Sequence, residues 1–302
     1  MVLVRYVEGE KDCVVYTKEE QAELPEDVQE NEVFYIDGLL KKKLEFGMQL
    51  QERDNDVCAN IIGNEGSGKS GVGVTCARFV SRDTFNPITD MIGAEDDEAQ
   101  VFEKLEALPQ NGVIVFDEGN RYFLSTEVMK KSSRELHKIF SIFRQKNLFV
   151  FIILPSFFRM ASYFALDRSD FLIRTYLKNG DRSYFEYWGK KKKDKLYRIG
   201  RKTHDYGCVS PTFRGRFTKC HLLENKEYKD FKEKTMQKAF AEARAKKNKP
   251  KSEFEIKQQV IKDFVVKNTD KTSKELASFL GVGERRIQYI RKEYKDSGSS
   301  LE

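Results

Sequence analysis

The sequence of 302 residues predicts an α/β fold with a mostly parallel sheet, followed by a small all-α domain near its C-terminal end. Between residues 56 and 180, apolar runs suited to buried strands alternate with helical patterns. Strands that are apolar on both faces are typical of parallel sheets covered by helices on both sides. After a segment with lysine and proline at 248–252, only helical patterns follow, which indicates a separate helical domain.

Residues 1–55 are predicted to form an N-terminal extension that packs on this core. The run EVFYIDG at 32–38 reads as a strand, and apolar residues at helical spacing predict a helix over 39–51. This mixed pattern indicates an added layer rather than part of the parallel sheet.

The first buried strand leads directly into a glycine-rich loop. The strand DVCANII at 56–62 is followed by GNEGSGKS, and a helix is predicted over 69–80. The loop fits G-x-x-x-x-G-K-[ST] without a mismatch. In such a loop the backbone amides point at phosphate oxygens, the lysine reaches the β- and γ-phosphates, and the hydroxyl ligates Mg²⁺. We therefore expect ATP and Mg²⁺ as cofactors, with the nucleotide held by Gly63, Asn64, Glu65, Gly66, Ser67, Gly68, Lys69, Ser70 and Gly71.

A second apolar strand, within GVIVFDEGN at 112–120, ends in two acidic residues. Asp117 is expected to hold Mg²⁺ together with Ser70, and Glu118 is expected to act as general base on the attacking water. A solvated strand end explains an isolated acidic pair, but not one that follows a phosphate loop. Glutamate directly after aspartate favours a hydrolase over a kinase, because a kinase must keep water from being activated. The two motifs predict a RecA-like P-loop NTPase that hydrolyses ATP.

The remaining elements complete an ATPase core over 56–182. Amphipathic helices are predicted over 96–108 and 132–144. Two further buried strands are predicted within NLFVFIILP at 147–155 and DFLIRTYLKN at 170–179. The second helix is expected to turn four apolar residues inward: Leu136, Ile139, Phe140 and Phe143.

The charge is divided unequally along the chain. Residues 1–182 carry 23 Lys and Arg against 31 Asp and Glu, whereas residues 183–302 carry 31 against 17. An acidic nucleotide-binding half joined to a strongly basic half suggests a partner that is a polyanion. A basic tail that serves solubility is the alternative.

The basic half begins with SYFEYWGKKKKDKLYRIG at 183–200, which alternates and reads as a β-hairpin with a cationic tip. A solvated turn is the alternative reading of the same run. A charged helix and the linker complete this region up to residue 252. His204, Cys208, Cys220 and His221 match no common zinc-finger spacing, so no zinc site is expected. At the tip, the DNA backbone is expected to meet Lys190, Lys191, Lys192 and Lys193.

Residues 253–296 carry a helix-turn-helix pattern. Ala277 is small where two helices approach, and Gly281 follows where the turn requires a positive φ. Such tri-helical domains bind DNA or dock proteins, and both readings stay open. Residues 297–302, SGSSLE, read as linker or tag. A small core is expected from Leu276, Phe279, Ile287 and Ile290, with DNA contacts from Arg285, Arg286, Gln288 and Arg291.

Residues 56–180 resemble the HerA/FtsK superfamily of DNA-pumping ATPases, which includes viral genome-packaging ATPases, and are similar to the Zot-like phage assembly ATPases. The likeness lies in the phosphate loop, the strand ending in Asp-Glu, and an arginine ahead of a buried strand in FRQKNLFVFIILPS at 143–156. It implies a homo-oligomeric ring acting on double-stranded DNA. It also implies that Arg144 completes a neighbouring subunit's ATP site, as a third catalytic residue besides Lys69 and Glu118.

The chain departs from the family at one position, and other arginines are available for the same role. FtsK-type members usually carry Thr-Gln at the end of the strand where this chain has Pro155-Ser156, so either Ser156 acts as the γ-phosphate sensor or sensing is absent. Arg168 and Arg174 are alternatives to Arg144.

The leading hypothesis is an ATP-driven DNA translocase or packaging-type ATPase of a virus or mobile element. An ATP-switched DNA-binding regulator or replication and partition loader is the alternative, and a P-loop phosphotransferase is a third. The five cysteines are scattered, which favours a reducing compartment. The longest apolar run, LFVFIILP, is shorter than the ~20 residues that cross a bilayer. We therefore expect a cytoplasmic protein without a membrane span, in the host cytoplasm or associated with a virion.

Overall fold

The computed structural model describes residues 2–7, 13–93, 96–117, 123–124, 143–179, 181–247 and 253–296. These residues belong to two compact units, 1–237 and 238–302. Within the described ranges, no helix has the length and apolar character needed to cross a membrane. Glu118 and most of the helix predicted over 132–144 lie outside the described residues.

The N-terminal part of the first unit is a small antiparallel sheet with three helices. The strands β1 (Val2–Arg5), β2 (Val14–Tyr16) and β3 (Phe34–Ile36) pair in the order β2-β1-β3. Between and after them lie α1 (Lys18–Ala22), α2 (Glu26–Asn31) and α3 (Gly38–Gln51). Asp37 caps α3 by accepting the amide of Leu39 at 2.9 Å. Val4, Leu40 and Leu44 are buried in the same apolar cluster as residues of the larger sheet.

A seven-stranded sheet forms the centre of the first unit, in the order β5-β6-β7-β4-β8-β9-β10. The strands from β5 to β8 in this order are parallel, whereas β9 and β10 are antiparallel to their neighbours. The predicted α/β fold with a mostly parallel sheet is confirmed. The strands are β4 (Val57–Gly63), β5 (Met91–Ile92), β6 (Val113–Phe116), β7 (Phe149–Leu154), β8 (Phe171–Lys178), β9 (Asp181–Gly189) and β10 (Phe213–Arg216).

Both faces of the sheet are buried along β4, β6 and β7, as the strand patterns predict. Along β4, Ala59 and Ile61 face one apolar cluster, while Cys58 and Ile62 face another. Helix α4 (Lys69–Val80) packs with α3 on the first face. On the second face lie α5 (Glu98–Ala107), a π-helix (Tyr163–Arg168) and α6 (Lys190–Gly200).

The predicted β-hairpin over 183–200 is wrong. The strand β9 ends at Gly189, and the lysines open helix α6 instead of forming a tip. This segment is a helix because its buried residues recur at helical spacing, namely Lys193, Leu196, Tyr197 and Gly200. A hairpin is formed instead by β8 and β9, which pair antiparallel with Lys178 opposite Asp181. The Asn179-Gly180 dipeptide between them is a turn signal that the sequence reading missed.

Two helices follow β10 along the chain, α7 (His221–Glu224) and α8 (Lys226–Lys247). The division between the two units falls within α8. The second unit contains α9 (Glu253–Lys267), α10 (Ser273–Leu280) and α11 (Glu284–Asp296). Its core consists of Val265, Leu276, Ala277, Ile287 and Ile290, and Gly281 has the expected positive φ of 62°.

The prediction that Phe279 belongs to this core is wrong. Its side chain is 73% exposed and stacks on Phe264 at a centroid distance of 5.3 Å. Val265 of α9 fills the space instead. The three-helix packing is observed, and its role as a DNA-binding helix-turn-helix stays a prediction.

Candidate active site

The phosphate loop joins β4 to α4 at the edge of the sheet where the parallel strands end. Three of its glycines have positive φ: 155° at Gly63, 72° at Gly66 and 89° at Gly68. A Cβ at Gly63 would overlap Thr175 Oγ1 and Ser67 Oγ, so this position tolerates no side chain. The loop leads straight into the first turn of α4, where the N-terminal end of a helix favours an anion.

The side chains that the motif assigns to the phosphates and the metal come together here. Lys69 Nζ donates to the carbonyl of Asn64 at 2.8 Å, across the loop. Ser70 Oγ donates to Asp117 Oδ1 at 2.9 Å, although the two residues follow different strands. Asp117 is buried, with 7% of its surface exposed.

Ser70 and Asp117 fit a magnesium ion. A hydroxyl and a carboxylate at hydrogen-bonding distance, beside a phosphate-binding loop, are the few oxygen ligands that Mg²⁺ takes from a protein when phosphates and water supply the rest. Among the described residues, no group of three or more His, Cys, Asp or Glu side chains is placed to hold a metal ion by itself.

Thr175 on β8 supports the loop, and the sequence reading missed it. Ser67 Oγ lies 2.7 Å from the carbonyl of Asn64 and 2.7 Å from Thr175 Oγ1. Either hydroxyl can be the donor in this pair, because Ser67 can also donate to the Asn64 carbonyl and Thr175 to the Ile62 carbonyl at 3.3 Å. The two residues are 108 positions apart, and only the pairing of β4 with β8 brings them together.

We expect Thr175→Val to weaken ATP binding by about threefold to tenfold, the effect of one lost hydrogen bond beneath the loop. Valine keeps the shape of the side chain and removes only the hydroxyl. The dissociation constant for MgATP, measured by calorimetry, checks this. Thr175→Ser is the matched control that keeps the hydroxyl, and a serine variant weaker than the valine variant would show that the methyl group matters instead.

Ser156, at the position of the family's sensor, lies at the end of β7. This strand stands between β4 with its loop and β6 with Asp117. The phenol of Tyr206 accepts the amide of Phe157, the residue after Ser156, at 3.0 Å. Burial raises the pKa of Tyr206 above its ordinary value, so the phenol stays protonated. A sensor role for Ser156 stays a prediction.

Arg144 and Arg168 lie at the other edge of the sheet. Arg144 is exposed and precedes the start of β7, while the phosphate loop follows the end of the parallel strand β4. It therefore cannot reach the loop of its own chain. Arg168 is paired with Asp56, ahead of β4. Arg159 is exposed after β7, on the same edge as the loop, and the sequence reading did not consider it.

A further cation lies beside Asp117. Lys232 on α8 places its Nζ 3.8 Å from Asp117 Oδ2, with about half of the lysine side chain exposed. No motif marks this lysine, because its proximity depends on how α8 folds back on the unit.

The tetralysine does not form an exposed cationic tip. Lys193 is fully buried and donates to the carbonyl of Ala165, and burial lowers the pKa of its ammonium. Lys190 donates to the carbonyls of Leu166 and Ser169, and Lys192 to that of Pro211. Of the four predicted DNA contacts, Lys190, Lys191 and Lys192 are exposed on the helix, and Lys193 is excluded by its burial.

The second unit presents three of its four predicted DNA contacts on α11. Arg285, Arg286 and Gln288 are exposed. Arg291 is half-buried and donates to Ser273 Oγ at 3.2 Å and to the carbonyl of Asn268 at 3.3 Å. It holds the turn between α9 and α10, which is a structural role.

The fold and the site together define a P-loop NTPase. A complete phosphate loop follows one parallel strand, and a buried aspartate, bonded to the loop's serine, follows another.

No model of a known protein family matches the chain, and no curated protein matches it. Solved structures are similar to it. The genome packaging NTPase B204 from Sulfolobus turreted icosahedral virus 2, in complex with ATP-gammaS, is 12% identical over 46% of this chain and 95% of that chain, with a TM-score of 0.33. The N-terminal domain of zonular occludens toxin from Neisseria meningitidis is 10% identical over 56% and 98%, with a TM-score of 0.36.

A DNA polymerase III gamma subunit-related protein from Thermotoga maritima is 12% identical over 45% of this chain and 46% of that chain, with a TM-score of 0.31. A genome-packaging NTPase and a zonular occludens toxin are the kinds of protein that the sequence resemblance named. At these identities and TM-scores, the class of the protein rests on its own loop, aspartate and sheet.

Proposed function

We propose that the chain is an ATP-hydrolysing motor that acts on DNA, as a translocase or packaging-type ATPase. The observation that carries the ATPase is the contact of 2.9 Å between Ser70 and Asp117 at the mouth of the phosphate loop. It supports a site that holds a triphosphate and its metal together. When bound, Mg²⁺ neutralises charge on the β- and γ-phosphates.

The chain's own residues would then perform the hydrolysis. The loop amides and the first turn of α4 hold the phosphates, and Lys69 exchanges the Asn64 carbonyl for phosphate oxygens. Glu118, directly after Asp117, takes a proton from the water that attacks the γ-phosphorus. The bond to the bridging oxygen breaks, which leaves ADP and phosphate.

Arg144 is our candidate for the arginine that a neighbouring subunit supplies. It is exposed, and it lies at the edge of the sheet opposite its own phosphate loop. An arginine in that place could complete the site of a second chain, and a ring of subunits would satisfy each site in turn. Charge that develops on the γ-phosphate needs such a cation for the full rate.

DNA is the proposed partner because of the charge division and the resemblance. Residues 183–302 carry 31 basic against 17 acidic residues, and the exposed arginines of α11 belong to this part. The same arginines favour the second candidate, a regulator in which the C-terminal unit finds one DNA site and ATP switches assembly.

The dependence of ATP turnover on DNA sequence distinguishes the two candidates. A motor contacts the backbone, so we expect turnover to rise with every duplex of sufficient length, whatever its sequence. A regulator would respond to one site among many. Turnover is measured with several unrelated duplexes of equal length, and a rate that no DNA changes would contradict both candidates.

A further inference from the structure

The sheet face at the carboxyl end of β8 carries a group of cations and tyrosines. In the pairing of the three last strands, Arg174 lies opposite Glu186, which lies opposite Arg214. In the next row, Tyr176 lies opposite Tyr184, which lies opposite Arg216. Directly paired residues point to the same side of a sheet. We call this surface the basic face: Arg174, Tyr176, Lys178, Tyr184, Glu186, Arg214 and Arg216.

Positive charge outweighs negative charge on the basic face. The seven residues of the basic face include four cations and one carboxylate, that of Glu186, and Asp181 is paired opposite Lys178. The two oxygens of Glu186 are both engaged, with Arg174 at 3.1 Å and Arg214 at 3.0 Å. Arg214 nevertheless keeps 64% of its side chain exposed, so its remaining N–H groups reach solvent.

Two cations converge on one ring at the other end of the basic face. The guanidinium of Arg216 lies 4.8 Å from the centroid of Tyr184, and the ammonium of Lys178 lies 5.5 Å from it. An anion that contacts either cation beside this ring would be attracted by both positive charges. Stacking on tyrosine also fixes the guanidinium, so less freedom is lost when it binds.

We propose that the basic face binds the phosphate backbone of DNA. Guanidinium groups are suited to phosphate because they donate two parallel N–H bonds, and three of the four cations are arginines. The choice of DNA as the polyanion rests on the proposed function. Since backbone contacts carry no sequence information, this surface binds any sequence, unlike the arginines of α11.

The basic face is joined to the nucleotide site by two routes. Between Arg174 and Tyr176 on β8 stands Thr175, whose side chain points to the opposite side of the sheet and bonds to Ser67 of the phosphate loop. The guanidinium of Arg174 also lies 4.5 Å from the ring centroid of Tyr206, whose phenol accepts the amide of Phe157 just after β7. DNA on this face therefore contacts residues one step from the loop.

The test uses the full chain and the double variant Arg214→Gln/Arg216→Gln. Its matched control is Lys195→Gln/Arg198→Gln, which removes two exposed cations from α6. Affinity is measured by fluorescence anisotropy with a labelled duplex and with a labelled single strand, over a range of salt concentrations. Melting temperatures confirm that both variants fold.

We expect the face variant to lose about tenfold or more in affinity at low salt. The slope of log affinity against log salt should fall by about 1.8 for duplex or about 1.4 for single strand, because two phosphate contacts are removed. The arm with the larger loss identifies the form of DNA bound. The control should keep the wild-type slope.

An unchanged slope in the face variant, or equal losses in both variants, would overturn the proposal, as would a wild-type chain that binds no DNA. Binding through the basic face in a chain that hydrolyses no ATP would leave the proposal standing and refute the proposed function alone.

Discussion

Lys69→Ala is expected to abolish measurable ATP turnover, with a loss of at least about a hundredfold. Lys69 is the cation that the loop presents to the β- and γ-phosphates, and its ammonium already lies across the loop, 2.8 Å from the Asn64 carbonyl. Without it, the charge of the triphosphate and of the transition state is left to the amides and the metal. Phosphate release and the dissociation constant for MgATP measure the effect.

Lys195→Ala is the matched control for Lys69→Ala, because Lys195 is an exposed lysine on α6, outside the site. It should hydrolyse ATP at the wild-type rate. Hydrolysis by Lys69→Ala at the wild-type rate would refute the assignment of the loop as the ATP site.

The Lys69→Ala variant also tests the role of Arg144. Arg144→Ala subunits should bind ATP normally and hydrolyse it slowly, because the arginine serves the neighbouring site. Mixing them with Lys69→Ala subunits should restore part of the activity, since some interfaces then join an intact loop to an intact arginine. No restoration at any mixing ratio would refute a shared site built on Arg144.

Glu118→Gln is expected to keep ATP binding and to slow hydrolysis by on the order of a hundredfold or more. Glutamine has almost the same shape as glutamate but cannot accept the proton of the attacking water. The loop, Lys69, Ser70 and Asp117 are unchanged in this variant, so the nucleotide should stay bound and the protein should accumulate in its ATP state. Single-turnover hydrolysis and nucleotide retention on a filter measure the two effects separately.

The control for Glu118→Gln is Glu106→Gln, an exposed residue of α5, which should behave as wild type. If neutralising Asp117 and Glu118 together left the rate nearly unchanged, the acidic strand end would be structural, and the hydrolase assignment would fail.

The parts of the site that lie within one short stretch of sequence could be predicted. The loop from Gly63 to Ser70 and the strand that ends at Asp117 are local patterns, and the contact between Ser70 and Asp117 follows once both strands are parallel. The alternation of buried strands and helices likewise predicted the parallel part of the sheet.

Two kinds of feature could not be predicted in this way: contacts that depend on strand order, and segments whose residue pattern fits both a strand and a helix. Thr175 reaches Ser67 only because β8 lies beside β4, and Lys232 reaches Asp117 only because α8 folds back. The prediction of a hairpin tip at the tetralysine was wrong because it rested on charge alone. Lys193 and Leu196 are buried at the spacing of a helix. The basic face draws on three strands, of which β10 is too short to stand out in the sequence.

Movement along DNA driven by ATP is measured most directly by the release of a triplex-forming strand from a duplex. We expect the wild-type chain to release the third strand with ATP, from duplexes of unrelated sequence, and at a rate that falls as the approach to the triplex is lengthened. Lys69→Ala, or a nonhydrolysable ATP analogue, should give no release. ATP hydrolysis that DNA stimulates without any release of the third strand would contradict a motor.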